Sequence, residues 1–322
     1  MDLIIETNDL VKIYKNKNKD RTKNMTIALN KVNFKIKSGT IFSFLGPNGA
    51  GKTTTVRILS CLLKPTEGDA RVFGKSVLED PVGIRSRIGV LTENHGLYER
   101  MTVAENLRFF GSFYSIERQQ VESRMNELLG YFNLADRKDD KVGTLSKGLK
   151  QRAALIKTLI HDPELVFLDE PTAGLDPKAS AEFRDYIKAL GKTYHKTIFM
   201  CTHNLFEAQK LSDMVAIIDK GVIKKIGPPE DLEKQLFEAT LFKVIAAKAF
   251  PKGIADQLAV DDGLKIIPVS DTELAVYLSK PEETVMPSLV KKLVQLDIPV
   301  VQVAKVQHSL EDVYLKLMGG EA

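Results

Sequence analysis

Ile41-Phe42-Ser43-Phe44-Leu45-Gly46-Pro47-Asn48-Gly49-Ala50-Gly51-Lys52-Thr53 decides the fold. Ile41 to Leu45 is a short apolar run with strand character. It feeds a Gly-rich turn, and a helical spacing follows at Thr53, Val56, Leu59 and Leu63. The turn fits GxxxxGK[ST] between a predicted strand and a predicted helix, the context in which that pattern carries chemistry. Its glycines let backbone N–H groups turn inward around phosphates, and the helix N-terminus adds its positive dipole end. Lys52 is expected to reach the β- and γ-phosphates and the Thr53 hydroxyl to ligate Mg²⁺, with Thr54 completing the contact set.

Outward from this loop, residues 1–230 alternate strand-like and helix-like stretches. Leu165 to Leu168 and Thr197 to Met200 are short, apolar or β-branched, and bounded by polar turns, so they are predicted to be buried strands. The alternation predicts an α/β domain with a mostly parallel core sheet. Consecutive helical patterns at 102–135 predict an inserted helical subdomain, spanning about 94–160. Near Gly227-Pro228-Pro229 the composition shifts and a helix-like Glu230 to Glu238 leads away. Beyond it come strand patterns at Leu241 to Ala246, Lys265 to Val269, Leu274 to Leu278 and Pro299 to Ala304. Helical patterns lie at Glu282 to Leu296 and Leu310 to Met318. A small α+β domain over 231–322 is expected, without a catalytic pattern of its own.

Composition narrows the function class. At 322 residues the chain accommodates a large domain and a smaller one. Its hydrophobic share of 43% and charged share of 27% are ordinary for a soluble globular protein. A net charge of +4 is small for this size and gives no nucleic-acid footprint. Cys61 and Cys201 both sit in apolar stretches and are expected to be buried free thiols, as in a reducing interior. Met1-Asp2-Leu3-Ile4-Ile5-Glu6 carries no secretory signal pattern. Apolar runs such as Val215 to Ile218 fall far short of the roughly 20 residues that span a bilayer. The chain is therefore expected to be soluble, with any membrane role supplied by a partner.

Leu165-Val166-Phe167-Leu168-Asp169-Glu170 is an apolar strand ending in two carboxylates. Asp169 suits direct or water-mediated Mg²⁺ coordination, since this hard cation prefers oxygen. Glu170 is expected on the opposite side of the strand end, where it could polarise an attacking water. Isolated acid pairs of this kind are often just a solvated turn or an N-cap; the phosphate loop upstream is what favours the catalytic reading.

Taken with the phosphate loop, Leu145-Ser146-Lys147-Gly148-Leu149-Lys150-Gln151-Arg152, the run Leu168-Asp169-Glu170-Pro171-Thr172-Ala173-Gly174-Leu175-Asp176-Pro177 and Thr202-His203 resemble the nucleotide-binding subunit of an ABC transporter. Order and spacing match across essentially all of residues 1–230. The resemblance implies a P-loop NTPase fold and a head-to-tail pair of such domains, homodimer or heterodimer, with two ATP molecules between them. Each ATP is held by one subunit's phosphate loop and the other's signature segment, where Ser146 and Gly148 match the phosphate-facing positions. It also implies communication across the pair by Asp176, a switch role for His203 near the γ-phosphate, and adenine stacking by Tyr14. ATP and Mg²⁺ are the implied cofactors; Lys52, Glu170 and His203 are the implied catalytic group, and Thr53, Asp169 and Glu93 the implied metal-site residues. Separate membrane-spanning permease subunits are the implied partners, with this chain peripheral to the cytoplasmic face of the cell membrane and no nucleic acid bound.

Three departures from the family pattern stand out. Lys147 and Leu149 replace the third and fifth residues of the usual LSGGQ. Glu93 replaces a glutamine after the strand Ile88 to Leu91, adding negative charge near the phosphates. The run Lys15-Asn16-Lys17-Asn18-Lys19-Asp20-Arg21-Thr22-Lys23-Asn24 is insertion-like and basic; it is read as a solvated hairpin loop, with contact to anionic lipid headgroups as the minor alternative. The ending Ser309-Leu310-Glu311-Asp312-Val313-Tyr314-Leu315-Lys316-Leu317-Met318-Gly319 resembles that of exporter ATPase subunits. The surface from Glu93 to Met101, with Leu97 and Tyr98, is expected to receive a helix of the membrane partner. The competing class is a soluble ABC ATPase of translation or DNA maintenance, disfavoured because 53–145 carries neither heptads nor paired cysteines and the chain has one cassette. A non-hydrolytic regulatory module is disfavoured by Lys52, Asp169, Glu170 and His203 all being present.

Overall fold

A computed structural model describes residues 2–15, 25–237, 240–258, 263–306 and 308–319. The basic run is therefore outside the described residues beyond Lys15. The chain divides into two compact units, Met1–Pro229 and Glu230–Ala322.

The first unit opens with two long strands, β1 (Leu3–Lys15) and β2 (Met25–Lys37), paired antiparallel. With β4 (Glu67–Val72) and β5 (Lys75–Ser76) they form a four-stranded sheet in the order β2-β1-β4-β5. The expected strand–helix alternation misses this sheet. Its strands carry polar residues on one face and pair antiparallel. The second sheet is the expected one, six strands in the order β10-β9-β3-β8-β7-β6. Its members are β3 (Ile41–Leu45), β6 (Ile88–Leu91), β7 (Leu165–Asp169), β8 (Thr197–Thr202), β9 (Met214–Asp219) and β10 (Val222–Gly227). All pairs are parallel except β9 with β10. Every residue of β3, β7 and β8 is buried, as a parallel sheet covered on both faces requires.

One face of the parallel sheet meets the antiparallel sheet through Phe34, Phe42, Phe44, Phe167 and Phe199. Phe199 lies 5.2–6.0 Å, centroid to centroid, from each of the other four rings. Such tilted ring pairs contribute beyond their buried area. Phe199→Leu keeps most of the volume but loses this geometry, and should cost about 1–2 kcal/mol, read as a lowered denaturant midpoint at unchanged slope.

Two short helices share that face, packing Val56, Ile58, Leu59 and Ile84 into the same cluster, and the later helices cover the other. α1 (Lys52–Leu59) follows the phosphate loop and α2 (Pro81–Arg85) precedes β6, with Asp80 capping and Pro81 at the first helical position. The spacing that extended α1 to Leu63 overruns its end. Cys61 takes φ 59°, and the N–H groups of Leu62 and Leu63 both turn back to the carbonyl of Arg57. Leu63 still packs on the core from outside the helix. Next come α3 (Val103–Gly111), α4 (Arg118–Tyr131) and α5 (Lys147–Leu159). A reciprocal Thr102/Glu105 capping box starts α3. Val103, Leu107, Met125, Leu128 and Leu155 pack together in one core cluster with Val166, Leu168 and Met200 of the sheet. α6 (Pro177–Lys192) and α7 (Leu205–Leu211) start at the caps Asp176 and Asn204.

The second unit begins within α8 (Pro229–Leu236). It continues with β11 (Thr240–Ala246), α9 (Ile254–Leu258), β12 (Leu264–Ser270), β13 (Glu273–Leu278), α10 (Glu282–Gln295), β14 (Val300–Val306) and α11 (Leu310–Leu317). The antiparallel sheet β12-β13-β11-β14 packs Val244, Leu274 and Val276 against Leu289 and Leu293 of α10. One element, α9, has no expectation from the sequence; a single short turn of helix gives a periodicity too little length to register. No helix among the described residues is long and apolar enough to cross a membrane.

Candidate functional site

The loop from β3 to α1 and the C-terminal end of β7 enclose a cavity of about 260 Å³. Pro47, Asn48, Gly49, Gly51, Lys52, Thr53 and Thr54 line it, with Glu93, Asp169 and Glu170 opposite and Ala28 of β2 at one wall. Gly46 and Ala50 complete the loop. Gly51 sits at φ 109° under the carbonyl of Ala28, where a side chain would collide. The loop thus turns at a position open only to glycine.

Lys52 is buried, at 6% exposure. Its ammonium donates to the carbonyls of Gly46 at 2.6 Å and Pro47 at 3.3 Å and lies 3.5 Å from Glu170 Oε1. The loop's own carbonyls therefore hold the cation over the cavity. The Thr53 hydroxyl donates to Asp169 Oδ2 at 3.0 Å, joining the start of α1 to the end of β7. Burial pushes the Asp169 carboxyl above its ordinary range; the Thr53 hydrogen bond opposes this, and the charge of Glu170 adds to it.

Glu170 departs from the expected geometry. Strand alternation places it opposite Asp169, yet both line the same cavity. The reason is its backbone, whose φ is 49°. This left-handed conformation, uncommon outside glycine, ends the extended chain and swings the side chain round. Its N–H still donates to the Cys201 carbonyl at 2.9 Å, so the strained residue stays tied to β8. Oε2 lies 2.9 Å from His203 Nδ1, while the buried Oε1 makes no hydrogen bond. Phosphate loop, Thr53, Glu93, Asp169, Glu170 and His203 are thus brought into one place.

The oxygens of Thr53, Asp169 and Glu93 fit a hard divalent cation. Among the described residues, no group of three or more His, Cys, Asp or Glu could hold a metal unaided. Magnesium ordinarily takes one or two protein oxygens plus water and substrate phosphates, which matches so sparse a donor set. Tyr14 stands beside this site: its hydroxyl is 3.4 Å from Thr54 Oγ1, and it is not among the residues lining the cavity.

Ser146, Gly148 and Asp176 lie together elsewhere, around a second cavity of about 460 Å³ that shares no residue with the first. Ser146 caps α5, accepting from Leu149 N at 3.4 Å, and Asp176 caps α6, accepting from Ala179 N at 2.9 Å. Lys147 folds over Gly174, whose φ of 69° favours glycine. Arg152, paired with Glu182, and Lys178 also line this cavity. Sequence reading gave neither a role, although Arg152 ends the segment Leu145 to Arg152.

Two other expectations change. Leu97 is half-buried against the helical core, so of the pair only Tyr98, half exposed, is open to a partner. Beside it Phe109 and Phe113 are exposed, and a cavity of about 240 Å³ opens between Leu62, Arg85, Phe110, Phe113, Tyr114 and Lys157. Cys201 is a buried free thiol, whereas Cys61 is only half-buried.

A family model described as "ABC transporter" matches residues 29–173. The bacitracin transport ATP-binding protein BcrA of Bacillus licheniformis is 34% identical, the similarity covering 99% of each chain. The daunorubicin/doxorubicin resistance ATP-binding protein DrrA of Streptomyces peucetius is 32% identical over 99% of this chain and 93% of that one. Among solved structures, a dimeric post-hydrolysis state of the ATP-binding cassette MJ0796 bound to ADP and Pi superposes with a TM-score of 0.63 at 26% identity, covering 70% of this chain and 98% of that one.

Proposed function

This chain belongs to the ABC transporter family of ATP-binding subunits, and we propose that it works as a pair of copies closing on two ATP molecules to drive export through separate membrane-spanning subunits. As a member of that family it is an ATPase with a P-loop NTPase fold. The relatives named above are transport and resistance proteins, and none is a factor of translation or DNA maintenance.

The observation that carries the paired reading is the separation of the two cavities. The phosphate loop and the Ser146–Gly148 segment line different cavities with no residue in common. A single chain therefore offers two half-sites, and a second copy turned head to tail completes both. In each, Lys52 and the loop N–H groups hold the phosphates and stabilise charge on the transferring group. Thr53, Asp169 and Glu93 would hold Mg²⁺, which supplies charge neutralisation when bound. Glu170 positions or deprotonates water, and His203, 2.9 Å from it, sits where γ-phosphate presence is sensed. Tyr14 supports the adenine from the edge of the site. Sedimentation tests this reading: the Glu170→Gln chain should be dimeric with ATP and monomeric with ADP, and a monomer under both conditions rejects it.

Lys147 adds a cation where the usual signature has glycine. At a partner-held triphosphate it contributes attraction, so Lys147→Gly should raise the ATP concentration needed for pairing by about 3–10-fold, with a weaker salt dependence. Equal ATP requirements in both proteins would remove Lys147 from the nucleotide contact.

For the membrane partner, the aromatic surface at Tyr98, Phe109 and Phe113 with the adjoining cavity is the proposed landing place, at the cytoplasmic face of the membrane. A membrane subunit encoded alongside should co-purify. Single cysteines at Tyr98 or Phe113 should cross-link to its cytoplasmic helices, and failure at both positions would move the landing place elsewhere.

A further inference from the structure

Glu207 lies on α7, four residues beyond His203, and is 1% exposed. The Thr172 hydroxyl donates to its Oε1, the Arg184 guanidinium is 3.6 Å from the same oxygen, and the buried Oε2 makes no hydrogen bond. Burial raises its carboxyl above the ordinary range, and the charge of Glu170 adds to this; Thr172 and Arg184 act in the opposite direction. A carboxylate held at such cost, off the nucleotide cavity, calls for a role.

Thr172 supplies the connection, two residues after Glu170 in a turn closed by Ala173 N to Glu170 O and Leu175 N to Thr172 O, each 3.1 Å. On the other side of the same turn, Gln151 of α5 donates its Nε2 to the Pro171 carbonyl at 2.6 Å. The dipeptide Pro171-Thr172 is thus gripped from α5, whose N-terminus presents Ser146, and from α7, which follows His203. Glu170 has a strained φ of 49° and needs such support. A left-handed non-glycine residue persists only where its surroundings fix it.

We propose that Glu207 is a positioning residue for hydrolysis: acting through Thr172, it fixes the turn after Glu170 and so the aim of Glu170 toward water, His203 and Lys52, without touching nucleotide. The inference rests on the reading of Glu170 as the water-positioning group. Its test compares kcat and KM for MgATP in the full chain, well below each variant's melting midpoint. Thr172→Val keeps the shape and removes the hydroxyl; kcat should fall about tenfold with KM changed less than about threefold, since only alignment in the transition state is lost. Thr172→Ser restores the hydroxyl and should recover kcat to within about twofold. Glu207→Ala should lose at least as much as Thr172→Val, and the double variant should be no worse than Glu207→Ala alone, because the two act in series.

A Thr172→Val chain turning over at the wild-type rate overturns the proposal, as does a Thr172→Ser chain as slow as Thr172→Val, or losses that multiply in the double variant. If Glu207→Ala does not fold, the two Thr172 variants decide alone. Normal hydrolysis by Glu170→Gln would instead bring down the reading beneath, whatever the Thr172 variants do.

Discussion

Glu170→Gln should bind ATP about as well as the parent and hydrolyse it roughly 10²–10⁴-fold more slowly, the range for loss of a general base. The amide is isosteric, so the strained backbone at φ 49° and its N–H bond to Cys201 O are preserved. What changes is chemical: a neutral amide cannot take a proton from water, and it loses the charge that faces Lys52 at 3.5 Å. Phosphate contacts come from the loop and Lys52 and are unaffected, so the deficit falls on kcat and not on nucleotide affinity. Single-turnover hydrolysis and titration with a fluorescent ATP analogue separate the two. Hydrolysis at the parent rate would reassign the base.

Lys52→Ala carries the second large effect, an expected loss of about 10²–10³ in kcat/KM, comparable to removing a preorganised donor aimed at developing charge. The side chain is buried and already fixed by the carbonyls of Gly46 and Pro47, so it reaches the phosphates with little reorganisation. Its removal also leaves Glu170 Oε1, buried and without a hydrogen bond, lacking its neighbouring cation. ATP affinity should weaken together with turnover, in contrast to Glu170→Gln. Steady-state kinetics over a wide ATP range checks this; an unchanged KM with reduced kcat would mean that Lys52 acts only in the transition state.

Much of the first unit was legible because its chemistry is local. The phosphate loop, its strand and its helix are contiguous, and buried parallel strands announce themselves as apolar runs, as at Ile41–Leu45 and Leu165–Asp169. The antiparallel sheet was not legible, since β1 and β2 bury one face only and their pairing is set by distant register. Side-chain direction at Glu170 escaped for a related reason: strand alternation is a rule for extended backbone, and one left-handed residue cancels it. Glu207 and Gln151 were invisible as site residues because their partners, Thr172 and Pro171, lie 35 and 20 positions away. Leu63 was misjudged because helical spacing does not report how a chain leaves its helix, and Leu97 because it lies in the loop between β6 and α3, where no periodicity marks the buried side.

The head-to-tail pair is tested most directly by an ATP-dependent cross-link between the two half-sites. In a Cys61→Ser, Glu170→Gln background, Cys201 is fully buried, so cysteines placed at Asn48 and Lys147 are the reactive ones. The paired arrangement predicts that a short bifunctional thiol reagent joins two chains through these positions with ATP, and does not with ADP or without nucleotide. Absence of the covalent dimer with ATP, or its equal yield without nucleotide, would contradict it.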